Sequence, residues 1–359
     1  MKKKIAVLGV GAIGGTIGAY LIRAGHDIIL IDQWAAHIEK IRSDGLKLTD
    51  TEGEFTVPAK ALHLSDISGV REQFDIVYLS VKSYDTRWST YMIEPYLKPT
   101  GFILPAQNSL NDELVASIVG FNRTVGCVPA IIGAAVYEPG HIVRTTPLNT
   151  HCFIVGELSG IITPRVTEIA DSLKIIGPSE ATNNIWGARW SKLIINCMMN
   201  TTAGLVGPSI SSLNDEQRNT LNLIRVTAGC EVMRVAYALG VDVEPIWEIS
   251  GHEFAEATNT NAISKLKDKL AAALQKTSLT PEQTRRVGVP ARPSLLQDVI
   301  KGRQTEVDFL NGYAVKKGKE VGVPTPMNEA IVDLMKKVEN GEANPDPSAL
   351  DQLKAYLLT

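Results

Sequence analysis

The chain has 359 residues, 44% of them hydrophobic and 21% charged, with a net charge of −3. That length accommodates two domains with sizeable cores, the balance is that of an ordinary globular protein, and the charge gives no electrostatic basis for holding nucleic acid or an anionic membrane. Four scattered cysteines (127, 152, 197 and 230) and six isolated histidines lack metal-site spacing, so the thiols read as reduced in a cytoplasmic protein and no metal is expected.

The first strand follows the N-terminus almost at once, leaving no room for a signal peptide. No apolar run approaches the length of a membrane span. Ile5 to Leu8 is a short apolar run suited to a strand buried on both faces. Gly9, Gly11 and Gly14 follow at G-x-G-x-x-G spacing, then Thr16 to Ala24 has helical periodicity with Gly25 as its stop. Gly9 permits the tight turn, Gly11 admits a pyrophosphate to the backbone, and Gly14 lets the helix pack on the sheet. The helix start that includes Ala12 and Ile13 offers free amides and a positive dipole to the phosphates. Glycines alone also mark ordinary turns, but here strand, glycines, helix, stop and second strand (Asp27 to Ile31) come in order, which points to dinucleotide binding. Asp32 closes that second strand. Its carboxylate suits the adenosine ribose hydroxyls and repels a 2′-phosphate, and the segment Asp32 to His37 has no Arg or Lys. Its other reading is a helix N-cap. The ribose reading predicts NAD rather than NADP.

Further along, Trp34 to Ser43 reads as a helix, and Leu46 to Thr49 with Phe55 to Val57 as an inserted hairpin. Phe74 to Val81 is a buried strand with Lys82 at its carboxyl end, where ligands bind in open α/β sheets. Gly101 to Pro105 is another strand, leading into Gln107, Asn108 and Ser109, and Asn111 to Val119 is helical. Val125 to Val128, Ala134 to Tyr137, His141 to Thr145 and Thr150 to Gly156 are expected to extend the sheet with antiparallel strands. A helix from Pro164 to Ile176 closes a first domain at 1–178. Beyond it the strand signal disappears: 184–203, 215–239, 263–274, 295–300, 306–321, 326–338 and 348–358 read as helices of an all-α domain at 179–359. The polar stretches 255–276 and 280–292 read as a protruding segment.

Within the first of those helices, Lys192, Asn196 and Asn200 recur four residues apart among apolar neighbours. They therefore share one face. Burying a lysine and asparagines is costly without partners, so the stripe reads as the wall of a wet cleft, although it could simply face solvent. Partial desolvation would lower the lysine pKa towards a proton-transfer role. Thr305 and Asp308 form a capping pattern that places Glu306 in a first helical turn, and Ser294 with Gln297 matches a capping box in which Ser294 is the N-cap.

These stretches, with Val81-Lys82, Gln107-Asn108, Ser294 to Asp298 and Thr305 to Gly312, resemble the ketopantoate reductase (2-dehydropantoate 2-reductase) family. The resemblance implies an α/β Rossmann domain, mostly parallel with antiparallel additions, followed by a helical domain like that of 6-phosphogluconate dehydrogenase. It also implies reduction of a 2-keto acid by hydride from NADPH, with Lys192 as general acid and Glu306 ordering the substrate hydroxyl. Asn196, Asn200 and Ser294 would be substrate ligands. Lys82 and Asn108 would lie between cofactor and substrate, and Glu306 would border the cofactor as well. Two residues depart from the family pattern: Asp32 favours NAD, and Ser109 replaces the glycine usual after Asn108. The expected partner is a small molecule, and the expected assembly a homodimer. An opine-type condensation and a non-catalytic NAD-binding redox sensor are the alternatives; the first lacks a recognisable amine site, and the second would not need Lys192.

Overall fold

A computed structural model of the chain describes residues 2–275 and 279–357. It forms two compact units, residues 1–185 with 277–291 and residues 186–276 with 292–359. The first unit begins with β1 (Lys4–Leu8), α1 (Ala12–Arg23), β2 (Asp27–Asp32), α2 (Ala35–Asp44), β3 (Leu46–Thr49), β4 (Glu54–Val57) and β5 (Lys60–His63). It continues through β6 (Phe74–Leu79), α3 (Thr86–Ile93), β7 (Leu97–Pro105), α4 (Asp112–Val119) and β8 (Val125–Pro129). The last part holds β9 (Ala134–Glu138), β10 (His141–Arg144), β11 (Phe153–Glu157), α5 (Pro164–Leu173) and β12 (Ser179–Ala181).

Five parallel strands run in the order β5-β2-β1-β6-β7. The apolar runs read from the sequence are buried because both faces of this sheet are covered. Ile5, Val7, Leu30 and Tyr78 enter one core with Ile17, Leu21 and Val166, while Ala6, Leu8, Ile31 and Val77 enter the other with Ile93 and Val115. Strand alternation thus divides one continuous run between two cores. The order reverses between β1 and β6, and that switch point is where such sheets bind ligands.

The later strands divide differently from expectation. A parallel bridge from Ile103 to Thr124 leads to a sheet of β8, β11 and β12, in which β11 is antiparallel to β8 and parallel to β12. The β9–β10 hairpin does not extend this sheet. It joins the β3–β4 hairpin in a separate four-stranded sheet, β10 lying parallel to β3. Helix α1 is covered by both layers: a Cβ on Gly15 would meet Ile142 Cδ1 at 2.5 Å, and one on Gly18 would meet Leu30 Cδ2 at 2.7 Å. Its run of small residues follows from burial on all sides.

The first unit also runs past the Gly177-Pro178 boundary read from the sequence. Ser179–Ala181 pairs with β11, and the Thr182 amide donates to Val155 O at 2.8 Å.

The second unit is helical: α6 (Ile185–Val206, its first residue counted with the first unit), α7 (Asp215–Ala238), α8 (Gly251–Ala255) and α9 (Thr260–Gln275). Helix α10 (Pro281–Val287) belongs to the first unit, and α11 (Ser294–Ile300), α12 (Asn311–Val321), α13 (Pro326–Glu339) and α14 (Ala349–Leu353) to the second. The polar segment is thus not simply a protrusion. Arg286 Nη1 donates to Thr51 O at 3.0 Å and the Tyr137 hydroxyl to Pro290 O at 2.9 Å, fastening its second stretch, residues 279–291, within the first unit, while 255–275 belongs to the second. The expected C-terminal helix to residue 358 is shorter, and its last residue lies outside the described ones.

Helices α6 and α7 pack at glycine contact, since a Cβ on Gly229 would meet Met198 Sδ at 2.5 Å. Residues 185–212 pass the length and composition test for a membrane-crossing helix, as the central helix of a domain core also does. Of its 18-residue apolar window, 67% is buried inside the protein.

Candidate active site

The glycine turn has the geometry its residues foreshadow. Gly9 adopts φ +91°, and a Cβ there would lie 2.6 Å from the Val81 amide nitrogen. A Cβ on Gly14 would stand 1.9 Å from Gly9 O. Gly11 is the opposite case: among the described residues its absent Cβ would meet nothing within 4 Å, leaving open space beside the backbone. Gly11 is the N-cap of α1 and offers no side-chain cap, and the first turn has no acidic residue. Ala12, Ile13 and Gly14 therefore present first-turn amides beside that space, an arrangement that fits a pyrophosphate.

Asp32, the last residue of β2, is not the N-cap of α2; that position is Trp34. Its two oxygens accept the amides of Val10 (2.6 Å) and Trp34 (2.8 Å), which aims the carboxylate across the glycine turn. On α2, Lys40 is paired with Asp44, and Arg42 with Glu39 and Asp66.

Lys82 and Asn108 lie at the carboxyl ends of β6 and β7, on either side of a polar brace that sequence reasoning did not single out. Gln107 Nε2 donates to Val81 O (2.7 Å) and Thr86 Oγ1 (2.9 Å). Asn111 Nδ2 donates to Asn108 O (3.0 Å) and Ser83 Oγ (3.2 Å). The only available signal was position, since polar residues just beyond buried parallel strands can face either a ligand or each other. Ser109, where the family usually has glycine, holds φ +71°.

In the second unit, the α6 stripe is realised. Lys192 is half-buried, and burial pushes its ammonium from the ordinary 10.5 down to about 8. One turn on, Asn196 is 1% exposed. Asn200 Nδ2 donates to Asn196 Oδ1 (3.1 Å) and Ser294 Oγ (3.0 Å). The capping-box reading of Ser294 is therefore corrected: Pro293 is the N-cap of α11, Gln297 Nε2 turns back to Arg292 O (2.9 Å), and the serine hydroxyl faces the stripe. Asn196 Nδ2 is buried and has no protein partner among the described residues, the kind of amide that a ligand satisfies.

Glu306 is 3% exposed and is likewise not in a first turn; it is the residue before a 3-10 turn, Val307–Phe309. The capping pattern is only half realised: Thr305 Oγ1 accepts the Val307 amide (3.2 Å), but both members are also engaged elsewhere. Thr305 Oγ1 donates to Glu339 (2.6 Å), while Asp308 pairs with Lys336.

Behind the stripe lies a buried chain that the sequence did not disclose. Thr201 donates to Asn311, Asn311 to Asn328 (2.8 Å), and Asn328 to Glu231 (2.7 Å). Glu231 also accepts the Met327 and Asn328 amides and so caps α13.

Fold and side chains together define a protein with a Rossmann unit and a helical unit carrying the polar stripe. The model for "Ketopantoate reductase PanE/ApbA" matches residues 5–157, and that for its C-terminal part matches residues 184–339. The chain belongs to the ketopantoate reductase family. It is 26% identical over 344 residues to a 2-dehydropantoate 2-reductase of Archaeoglobus fulgidus, covering 94% of this chain and 99% of that one. Against the enzyme of that name from Aquifex aeolicus it is 28% identical over 342 residues, covering 94% and 98%. Among solved structures, a D-mandelate dehydrogenase with NADH and anilino(oxo)acetate superposes with a TM-score of 0.73 at 23% identity, over 94% of this chain and 99% of that one. A PanE/ApbA family ketopantoate reductase from Ralstonia eutropha gives 0.72 at 24%, with the same coverage.

Proposed function

We propose that this chain is an NAD-linked oxidoreductase that interconverts a 2-keto acid and a 2-hydroxy acid, or a related secondary alcohol, with Lys192 as the proton donor. The observation that carries this reading is the α6 stripe: a lysine held to a pKa of about 8, on one face with Asn196 and an Asn200–Ser294 pair. A lysine so tuned donates its proton readily near neutral pH and stabilises a developing alkoxide while still charged. Asn196, Asn200 and Ser294 would orient the acid by hydrogen bonds, and Glu306 the hydroxyl. Lys82 and Asn108 would contact the dinucleotide and substrate from the strand ends. When bound, the nicotinamide supplies or accepts the hydride. The curated relatives favour 2-dehydropantoate as the first substrate to try. The neighbouring D-mandelate dehydrogenase makes aromatic 2-hydroxy acids the second class. Cytoplasmic operation as a homodimer belongs to the same proposal.

The test is initial-rate kinetics with NAD and NADP against a panel of 2-keto acids, 2-hydroxy acids and secondary alcohols, for wild type and Lys192→Ala. General acid catalysis contributes roughly 10²–10⁴-fold, so kcat should fall by at least that lower bound while dinucleotide binding persists. A variant within about tenfold of wild type removes Lys192 from the proton-transfer role.

A further inference from the structure

We propose that Trp34 and His37 form a rigid wall for the adenosine end of the dinucleotide, Trp34 as a specificity-determining ring and His37 as the positioning residue behind it. The inference rests on the NAD reading above and adds to it a device outside the glycine pattern.

His37 is 1% exposed, and both ring nitrogens are committed. Its Nδ1 accepts the Gly140 amide at 2.9 Å, which requires the proton on Nε2, and that N–H donates to Val10 O at 3.0 Å. Val10 lies between Gly9 and Gly11 and is held from two sides, its carbonyl by His37 and its amide by Asp32. The Trp34 ring stacks on the imidazole with centroids 5.1 Å apart and planes 6° from parallel. The Trp34 amide holds the other Asp32 oxygen. Two residues therefore fix the glycine-turn backbone, the ribose-facing carboxylate and a flat apolar surface next to it. Each Asp32 oxygen keeps a lone pair for a ribose hydroxyl. Two residues beyond Asp32 the chain presents an indole rather than a cation, a surface that suits a nucleoside and gives a 2′-phosphate no counter-charge.

The arrangement is specific to neutral histidine. A proton on Nδ1 would set two donors against each other at Gly140, and the tie to the β9–β10 hairpin would part. Burial already holds the imidazole below its ordinary value, against the pull of Asp32. The other charges around it, Lys40 with Asp44 on α2 and Glu138 with His141 flanking Gly140, are paired with one another. Because the folded pKa is lowered, the contact is intact above the ordinary histidine value and is lost as pH falls through the folded one. Dinucleotide affinity should fall with it.

The experiment is calorimetric titration with NAD and NADP in steps from about pH 7.5 down to about pH 4.5, with circular dichroism to confirm the fold at each step, for wild type, Trp34→Ala, His37→Leu and His37→Gln. Trp34→Ala should weaken NAD ~10-fold, the loss of one good contact, and narrow the NAD/NADP ratio. His37→Leu should weaken it similarly with kcat at saturating NAD unchanged. His37→Gln, a neutral donor and acceptor, should restore affinity and remove the pH dependence. Folded Trp34→Ala or His37→Leu proteins within about twofold of wild type overturn the proposal, as does a wild-type affinity that stays constant over the whole pH range in which the protein remains folded. Should His37→Leu not fold, the wild-type pH comparison and Trp34→Ala still decide. If wild type binds NADP as tightly as NAD, the NAD reading fails, while the same comparisons made with either dinucleotide still judge the wall.

Discussion

Lys192 is desolvated but not sealed, and that combination has consequences of opposite sign for activity and stability. With its pKa near 8, kcat/KM for ketone reduction should be flat below that pH and decline ~10-fold per unit above it, as the acid is lost. Alcohol oxidation, which needs the neutral amine, should rise over the same range. A profile flat from pH 6.5 to about 9.5 in both directions would exclude a titrating lysine. For stability, a folded pKa below the unfolded value means the contribution is present above about 10.5 and lost as pH falls through about 8. At pH 7 the charged lysine is therefore a burden. Lys192→Met should abolish turnover yet raise unfolding stability by about 1–2 kcal/mol, a value discounted for the group's partial exposure. That gain should vanish above pH ~10.5, and denaturant titrations at both pH values would check it. Asp32 makes a complementary prediction. Two charge-assisted hydrogen bonds to ribose hydroxyls, worth ~1.5–3 kcal/mol each before other losses, should give the wild type at least tenfold better kcat/KM with NAD than with NADP. Asp32→Ala should lose most of that preference. Equal use of both dinucleotides by the wild type would contradict the assignment.

At the scale of elements, the sequence was legible wherever a pattern is self-contained. The glycine turn, α1 and β1 could be read because apolar run, tight turn and small-residue helix lie consecutively in the chain. Helix α6 could be read because a four-residue polar recurrence stands out among apolar neighbours. What could not be read depends on partners far along the chain. Ser294 and Gln297 spell a capping box, yet the hydroxyl is taken by Asn200, 94 residues earlier. Thr305 spells a cap for the turn at Glu306 and does accept the Val307 amide, but its hydroxyl proton goes to Glu339, 34 residues later. Strand β5 buries only Ala61 fully, and so has no alternation to detect. Ser109 shows the limit of a pattern departure: it could be seen as unusual, but its left-handed backbone could not. With φ +71°, a non-glycine residue there carries ~1–2 kcal/mol of strain, against ~0.5–1 kcal/mol of extra chain entropy for glycine. Ser109→Gly should therefore be neutral to slightly stabilising. Ser109→Val, β-branched at a positive φ, should cost more than ~1 kcal/mol. Urea unfolding of the two variants should show opposite or clearly unequal shifts, and equal losses would mean that the hydroxyl, not the backbone, decides the position.

For the whole molecule, the least readable feature is the path of the chain. It leaves the second unit after α9, contributes α10 to the first, and resumes the second at Arg292. A polar segment read alone looks like a surface elaboration, because the contacts that fasten it are made by distant residues. Thr51 and Tyr137 lie 235 and 153 positions from their partners. The end of this segment runs directly into Pro293 and Ser294, and Ser294 accepts the hydrogen bond from Asn200. The position of the serine therefore depends partly on how firmly residues 279–291 are held. Removing both fastenings with Arg286→Ala and Tyr137→Phe should cost little global stability, because one is an exposed and the other a part-buried hydrogen bond, each worth ~0.5–1.5 kcal/mol. It should nevertheless loosen the start of α11. The expected result is faster limited proteolysis between 279 and 291 and a KM for the organic substrate raised ~3–10-fold, equivalent to ~0.7–1.4 kcal/mol. The Kd for NAD should stay at its wild-type value, because Asp32, His37 and the glycine turn keep all their partners. A segment that becomes protease-sensitive while KM stays unchanged would show that it has no part in placing Ser294. A parallel loss of NAD affinity would instead mean that the four-stranded sheet under α1 had been disturbed.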